Sequence, residues 1–206
     1  MNITAAKDFI IHNASPLELA LYRFFYEKKE KEAVIAELEK YQNEDGGFGN
    51  GLEADNWNPH SNPIATNDVI ITLYRIGAFE KDSAMVKDII RYLSFHDSFN
   101  EEKKRWLFAT DSNADCPHAI WWKKDRDGIN FLIQLLDFFC GMNEMFMTKE
   151  LYPLAAAEKA IWGKIQKEDG GFDISWQWYT DYKEFETARD WWRPRLTLDK
   201  LMFYEA

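Results

Sequence analysis

The chain has 206 residues, 46% of them hydrophobic and 29% charged, which suits one soluble globular domain with a sizeable core. Its formal charge of -10 is spread along the sequence rather than gathered in a tail, which argues against nucleic-acid or anionic-membrane surfaces as partners. No stretch approaches the roughly 18 uncharged apolar residues of a membrane span, and MNITAAKDFIIHNASP has no basic start leading into a long apolar run, so no signal peptide is expected. Two cysteines, Cys116 and Cys140, make no disulfide framework and predict a reduced, cytoplasmic protein.

The predicted elements are helices. Ser15 followed by Pro16 reads as an N-cap with proline at the first helical position, opening SPLELALYRFFYEKK. KEKEAVIAELEKYQ follows, with Ala33, Ile35, Leu38 and Tyr41 at helical spacing. The Gly-, Pro- and Asn-rich segment from Asn43 to Pro63 is a loop. Thr66-Asn67-Asp68 is expected to cap a helix carrying Val69, Ile70, Leu73 and Ile76, stopped by Gly77, and another helix runs from about Ser83 to Phe95. KRWLFAT reads as a short strand or more loop, and Asp111 to Asp127 as irregular. Helices resume at GINFLIQLLDFFCGM and KELYPLAAAEKAIWGKIQ, and a last one is expected to open at Thr197. With no strand series, the fold class is all-α, built of helical hairpins in a single domain, 1–206.

One phrase is written twice. Gln42 to Phe48 reads QNEDGGF and Gln166 to Phe172 reads QKEDGGF, each at the end of an amphipathic helix. Paired glycines permit the positive φ that stops a helix and turns the chain. The Asp carboxylate can bond to the backbone just after it. The Phe then returns an apolar ring to the hairpin, so the phrase is a turn recipe that demands no chemistry.

Helix, Gln-x-x-Asp-Gly-Gly-Phe, helix resembles the repeat of the α/α-toroid proteins: squalene and hopene cyclases, oxidosqualene cyclases and the β subunits of protein prenyltransferases. In that family the related motif, usually with Trp where this chain has Phe48 and Phe172, ties one hairpin to its neighbour. The resemblance implies a terpenoid-cyclase-like or prenyltransferase-like toroid. At about 20 to 50 residues per repeat the chain supplies four or five hairpins, fewer than six, so an incomplete or collapsed ring is expected, or one whose gap a second copy closes in a homo-oligomer.

The family's catalytic residues do not carry over. The chain has no Asp-x-Asp-Asp acid; Glu53/Asp55 and Asp111/Asp115 are its nearest carboxylate groupings. For the prenyltransferase zinc there is only Asp115-Cys116-Pro117-His118, where the ligand types suit zinc but the spacing is too tight and no fourth ligand is assignable. No metal and no cofactor are therefore expected, and Cys140 reads as a buried small apolar residue.

Aromatic residues are the remaining signal. Eight of nine Trp lie at or beyond Trp106, many in polar loops. If loops of one rim converge, Asp55, Trp57, His118, Trp121, Trp122, Trp176 and Trp178 share an aromatic, partly acidic mouth; the competing reading makes these indoles core filler. Two functional classes stay open. One is a non-catalytic scaffold or binding module for a small apolar or carbohydrate ligand. The other is an enzyme, either a degenerate prenyl or terpenoid transferase or cyclase, or a carbohydrate-active hydrolase or lyase with paired carboxylates beside Trp platforms.

Overall fold

The structure, a computed structural model, describes residues 1–95, 99–100, 102, 105–106, 152–177 and 183–205. Seven helices lie among them: α1 (Ile3–Asn13), α2 (Pro16–Glu27), α3 (Lys31–Glu39), α4 (Pro63–Arg75), α5 (Ala84–Phe95), α6 (Tyr152–Ile165) and α7 (Glu184–Glu205). The chain is mostly helical, as its periodicity predicts. KRWLFAT does contribute a strand, of two residues: β2 (Arg105–Trp106) pairs antiparallel with β1 (Phe99–Asn100), Phe99 opposite Trp106. None of the described helices is long and apolar enough to cross a membrane.

The chain forms two compact units. The terminal unit joins Met1–Lys29 to Leu135–Ala206, and the central unit is Glu30–Gln134. Each contains one copy of the repeated phrase.

In the terminal unit, Asn2 caps α1 by accepting from the Ala5 N–H at 3.1 Å. Ser15 caps α2 with Pro16 at its first turn, as the sequence predicts; the Ser15 hydroxyl also reaches the Glu18 carboxylate, and Lys28 closes the helix in the left-handed conformation at φ 54°. Ile10, Tyr22, Leu198 and Leu201 make a buried cluster, with Leu19, Tyr26 and Met202 packed around it. The first helix thus shares a core with the last. Burial, reinforced by the Glu205 carboxylate, holds the Tyr26 hydroxyl well above the ordinary tyrosine pKa. Trp162 of α6 is buried edge-on to Phe203 of α7, ring centres 5.2 Å apart.

Two expected boundaries differ. The last helix opens at Glu184, not Thr197, and runs through Pro194. Proline's fixed φ is compatible with a helix, and the bond it fails to donate is a tolerable loss where packing holds both flanks; Ala188, Thr197, Leu198 and Leu201, on either side of it, are all buried. In the central unit α4 opens at Pro63 rather than after Thr66. Asn62 is the true cap, accepting from the Ala65 N–H at 2.9 Å, which leaves Thr66 inside the first turn with its hydroxyl free for another task.

The central unit buries Val34 and Leu38 of α3, Val69 and Leu73 of α4, and Val86, Ile89 and Tyr92 of α5. Lys31, at the start of α3, ties the α4–α5 connection: its ammonium donates to Gly77 O at 3.1 Å and to Glu80 at 2.9 Å. Gly77, with φ 64°, ends α4 as expected.

Candidate functional site

The two copies of the phrase build the same joint, atom for atom. Gln42 Nε2 donates to Gly46 O at 3.2 Å, and Gln166 Nε2 to Gly170 O at 2.7 Å. The Asp45 carboxylate accepts from Gly47 N at 2.9 Å, and that of Asp169 from Gly171 N at 3.0 Å. The first glycine of each pair has positive φ, 93° at Gly46 and 89° at Gly170. Its Cα lies so close to another helix that a Cβ would overlap a backbone carbonyl, that of Asp88 on α5 or that of Ala5 on α1. The second glycine lies under an aromatic ring one turn further along the same helix: a Cβ would come within 2.7 Å of Tyr92 or of Phe9. Phe48 and Phe172 are fully buried.

Each joint has a second half. Phe48 N donates to Thr66 Oγ1 at 3.1 Å, and Phe172 N to Thr197 Oγ1 at 3.0 Å. Each Thr hydroxyl in turn donates to the carbonyl four residues back, Asn62 O at 2.8 Å or Arg193 O at 2.7 Å. That same residue returns a donor to the Phe carbonyl: Asn62 N to Phe48 O at 2.9 Å, Arg193 Nε to Phe172 O at 3.4 Å. The full motif therefore continues as Asn62-Pro63-Ile64-Ala65-Thr66 and Arg193-Pro194-Arg195-Leu196-Thr197. The sequence signal was present, an x-Pro-x-x-Thr after each copy, but the separation from Phe to Thr is 18 residues in one and 25 in the other.

The copies differ in their outer grip. Asp45 accepts from the Ser61 hydroxyl at 2.7 Å, whereas both carboxylate oxygens of Asp169 accept from Arg193 Nη2, at 2.9 and 2.8 Å. Partial burial works against ionising Asp169, but Arg193, the Gly171 N–H and Lys167 outweigh it and hold the carboxyl below its ordinary value. Gln166 also grips the cap of α1, accepting from Asn2 N at 2.6 Å and donating to Asn2 O at 3.0 Å. These polar groups are all committed to holding the backbone. The joints are architecture.

A further group of buried polar residues lies in the loop closing the first joint. Asn43 Nδ2 donates to Pro59 O and to Ser61 Oγ, both at 3.0 Å, and Asn58 Oδ1 accepts from His60 N at 3.0 Å. Inside this frame Glu53, Asp55, Asn56 and Asn58 are buried, an unusual density of polar side chains out of water. Glu53 and Asn56 face each other across a tight turn, with an isolated antiparallel bridge and Asn56 N donating to Glu53 O at 3.0 Å. The half-buried Trp57 folds back on that turn, its indole N–H donating to Ala54 O at 2.6 Å.

Of the residues expected to share a mouth, Asp55 and Trp57 are therefore together in the central unit. Trp176 belongs to the terminal unit, exposed and edge-on to Trp192 with ring centres 5.5 Å apart. His118, Trp121, Trp122 and Trp178 lie outside the described residues, as do Asp111, Asp115, Cys116 and Cys140. Among the described residues no group of three or more His, Cys, Asp or Glu is placed to hold a metal ion. Sequence reasoning passed over Asn56 and Asn58, which look like ordinary loop asparagines until their burial is known. Comparison with family models, curated proteins and solved structures found no match.

Proposed function

We propose that the chain is a helical-repeat binding protein of α/α-toroid-like arrangement, without cyclase catalysis, that takes a small apolar or sugar-like ligand. The observation that carries this reading is the buried acid–amide turn Glu53–Asn56 with the Trp57 indole folded onto it. Ligand sites are concave, with a few placed polar groups among apolar walls. The Asn56 carboxamide is buried without a hydrogen-bond partner among the described residues, and a buried polar group is costly unless something repays it. The absence of Asp-x-Asp-Asp from the sequence speaks against a proton-initiated cyclase. In the same proposal the protein is cytoplasmic, and a second copy closes the gap left by too few hairpins. A thermal-shift screen with prenyl diphosphates, oligosaccharides and divalent cations tests it: a saturable shift with a member of the first two groups is expected, and no shift with either contradicts it.

One observation favours an enzyme instead. Glu53 and Asp55 are two buried carboxylates in a single turn beside an indole, and glycoside hydrolysis uses two carboxyls about 5 to 10 Å apart. Turnover of a glycoside by the wild type, abolished in Glu53→Gln and Asp55→Asn, would establish that reading over simple binding.

A further inference from the structure

Asn50-Gly51 is the one Asn-Gly step in the sequence. Both residues have positive φ, 55° and 75°, and Leu52 N donates to Gly49 O at 3.1 Å, so the pair forms the centre of a type I′ turn. Asn50 is exposed, and its Nδ2 is held by two long bonds, to Tyr41 O at 3.4 Å and to Asn43 Oδ1 at 3.2 Å. The Gly51 N–H has no hydrogen-bond partner among the described residues. Only Trp57 Cα, at 4.0 Å, comes near the place a Cβ would take at Gly51. An uncommitted, uncrowded amide nitrogen therefore stands next in the chain to a solvent-accessible carboxamide.

The neighbouring asparagines lack this combination. Asn58 and Asn62 precede prolines, which have no N–H to attack with. Asn56 is buried ahead of Trp57. Asn43 commits its Nδ2 to Pro59 O and Ser61 Oγ, both at 3.0 Å. At Asn13 the following amide is already bonded, Ala14 N donating to Ile10 O at 2.9 Å. The second copy of the repeated phrase continues Asp173-Ile174-Ser175 where the first continues Gly49-Asn50-Gly51, so it has no carboxamide at the matching place.

We propose that Asn50-Gly51 is a self-modification site, where the chain converts its own carboxamide to a carboxylate and thereby loosens the first joint but not the second. The Gly51 nitrogen attacks Asn50 Cγ with its lone pair. The new N–Cγ bond replaces the Cγ–Nδ2 bond, and Nδ2 leaves as ammonia with the proton that the Gly51 nitrogen gives up. Water then opens the five-membered imide: at Cγ it leaves aspartate, and at the Asn50 carbonyl carbon it leaves isoaspartate, whose main chain is one carbon longer. Either product removes the donor that Tyr41 O and Asn43 Oδ1 shared and adds a negative charge beside them. Asn43 can turn its own Nδ2 toward that charge only by releasing Pro59 O and Ser61 Oγ, and Ser61 is the residue that grips Asp45. The longer isoaspartyl turn also disturbs the bond from Gly49 N to Tyr41 O, 3.1 Å long, next to Phe48.

The test incubates the full chain, folded or unfolded in urea, in mildly acidic and in alkaline buffer. Tandem mass spectrometry follows each asparagine, with isoaspartate separated from aspartate by chromatography. Asn50→Gly, which keeps a residue suited to positive φ, is the control. In the folded chain Asn50 should gain about one mass unit, about tenfold faster than any other described asparagine. The gain should be faster in alkaline buffer, where more of the Gly51 amide is deprotonated. Both products should form, and neither should form at that position in Asn50→Gly. Amide exchange at Phe48 should quicken in the converted chain while Phe172 keeps its protection. Conversion of Asn50 only in urea would overturn the proposal, as would earlier conversion of another described asparagine. Aspartate without isoaspartate would overturn it too, because that outcome marks direct hydrolysis. Equal Phe48 exchange in converted and unconverted chains would overturn the loosening of the joint.

Discussion

Two adjacent glycines in each joint are required for different reasons. Gly46 and Gly170 need positive φ and also sit against a carbonyl of another helix, while Gly47 and Gly171 lie in ordinary backbone under a ring. Gly77 supplies a contrast, having positive φ with nothing near the position a Cβ would take. Gly77→Ala should therefore cost only the left-handed strain, about 1 kcal/mol. Gly46→Ala and Gly170→Ala must also displace backbone, and should each cost about 3 kcal/mol or more. Denaturant titration distinguishes the two cases, and equal costs at all three sites would contradict the packing account. Thr66 and Thr197 make a second residue-scale prediction. Replacing either with Val keeps the shape but strands the buried Phe N–H, which should cost about 1 to 3 kcal/mol, and Ser at the same position should recover most of it. The first half of the joint was legible because Asp-Gly-Gly has few other uses. The Thr was not, since it reads equally well as a cap and only tertiary distance shows what it accepts.

Two helix boundaries that rest on local chemistry were read correctly, Ser15-Pro16 opening α2 and Gly77 closing α4, whereas the same cap-and-proline signal at Asn62-Pro63 was missed in favour of Thr66. Boundaries that rest on packing were not legible. Nothing local announces that α7 continues through Pro194, and Ile3–Asn13 offers only Asn2 as a start signal. In the structure α1 is held from outside, by Gln166 on its cap and by Gly170 and Gly171 against Ala5 and Phe9. The Arg193 guanidinium adds to that hold, 4.8 Å from the Phe9 ring and paired to Asp169. Because the folded Asp169 carboxyl titrates below its ordinary 3.8, its ion pair stabilises fully above that value and is lost as pH falls through the folded one. As pH falls below about 4, the melting temperature of the wild type should thus drop more steeply than that of Asp169→Asn. Parallel profiles would show that the pair contributes nothing.

At the scale of the molecule, one short phrase organises both units. In the central unit its glycines dock onto α5, the second helix after it in the chain, and in the terminal unit onto α1, at the opposite end of the chain. The first arrangement is what a linear repeat predicts; the second was invisible in sequence, because nothing in Ala5 or Phe9 names a partner some 160 residues away. The candidate site was legible only in part for a similar reason: Asp55 and Trp57 stand out as an acid and an indole, while Asn56 matters only through its burial. Zinc is expected to have no place in this account. Elemental analysis should find none in stoichiometric amount, and a chelator should leave the melting temperature unchanged; about one zinc per chain, lost in Cys116→Ser, would contradict this. The central claim is that both copies of the phrase are one joint, and native-state hydrogen exchange tests it most directly. The Phe48 and Phe172 amides should be among the protected ones in the wild type. Thr66→Val should accelerate exchange at Phe48 while Phe172 keeps its protection, and Thr197→Val should do the reverse. Fast exchange at either Phe in the wild type, or indifference to the Thr substitutions, would contradict it.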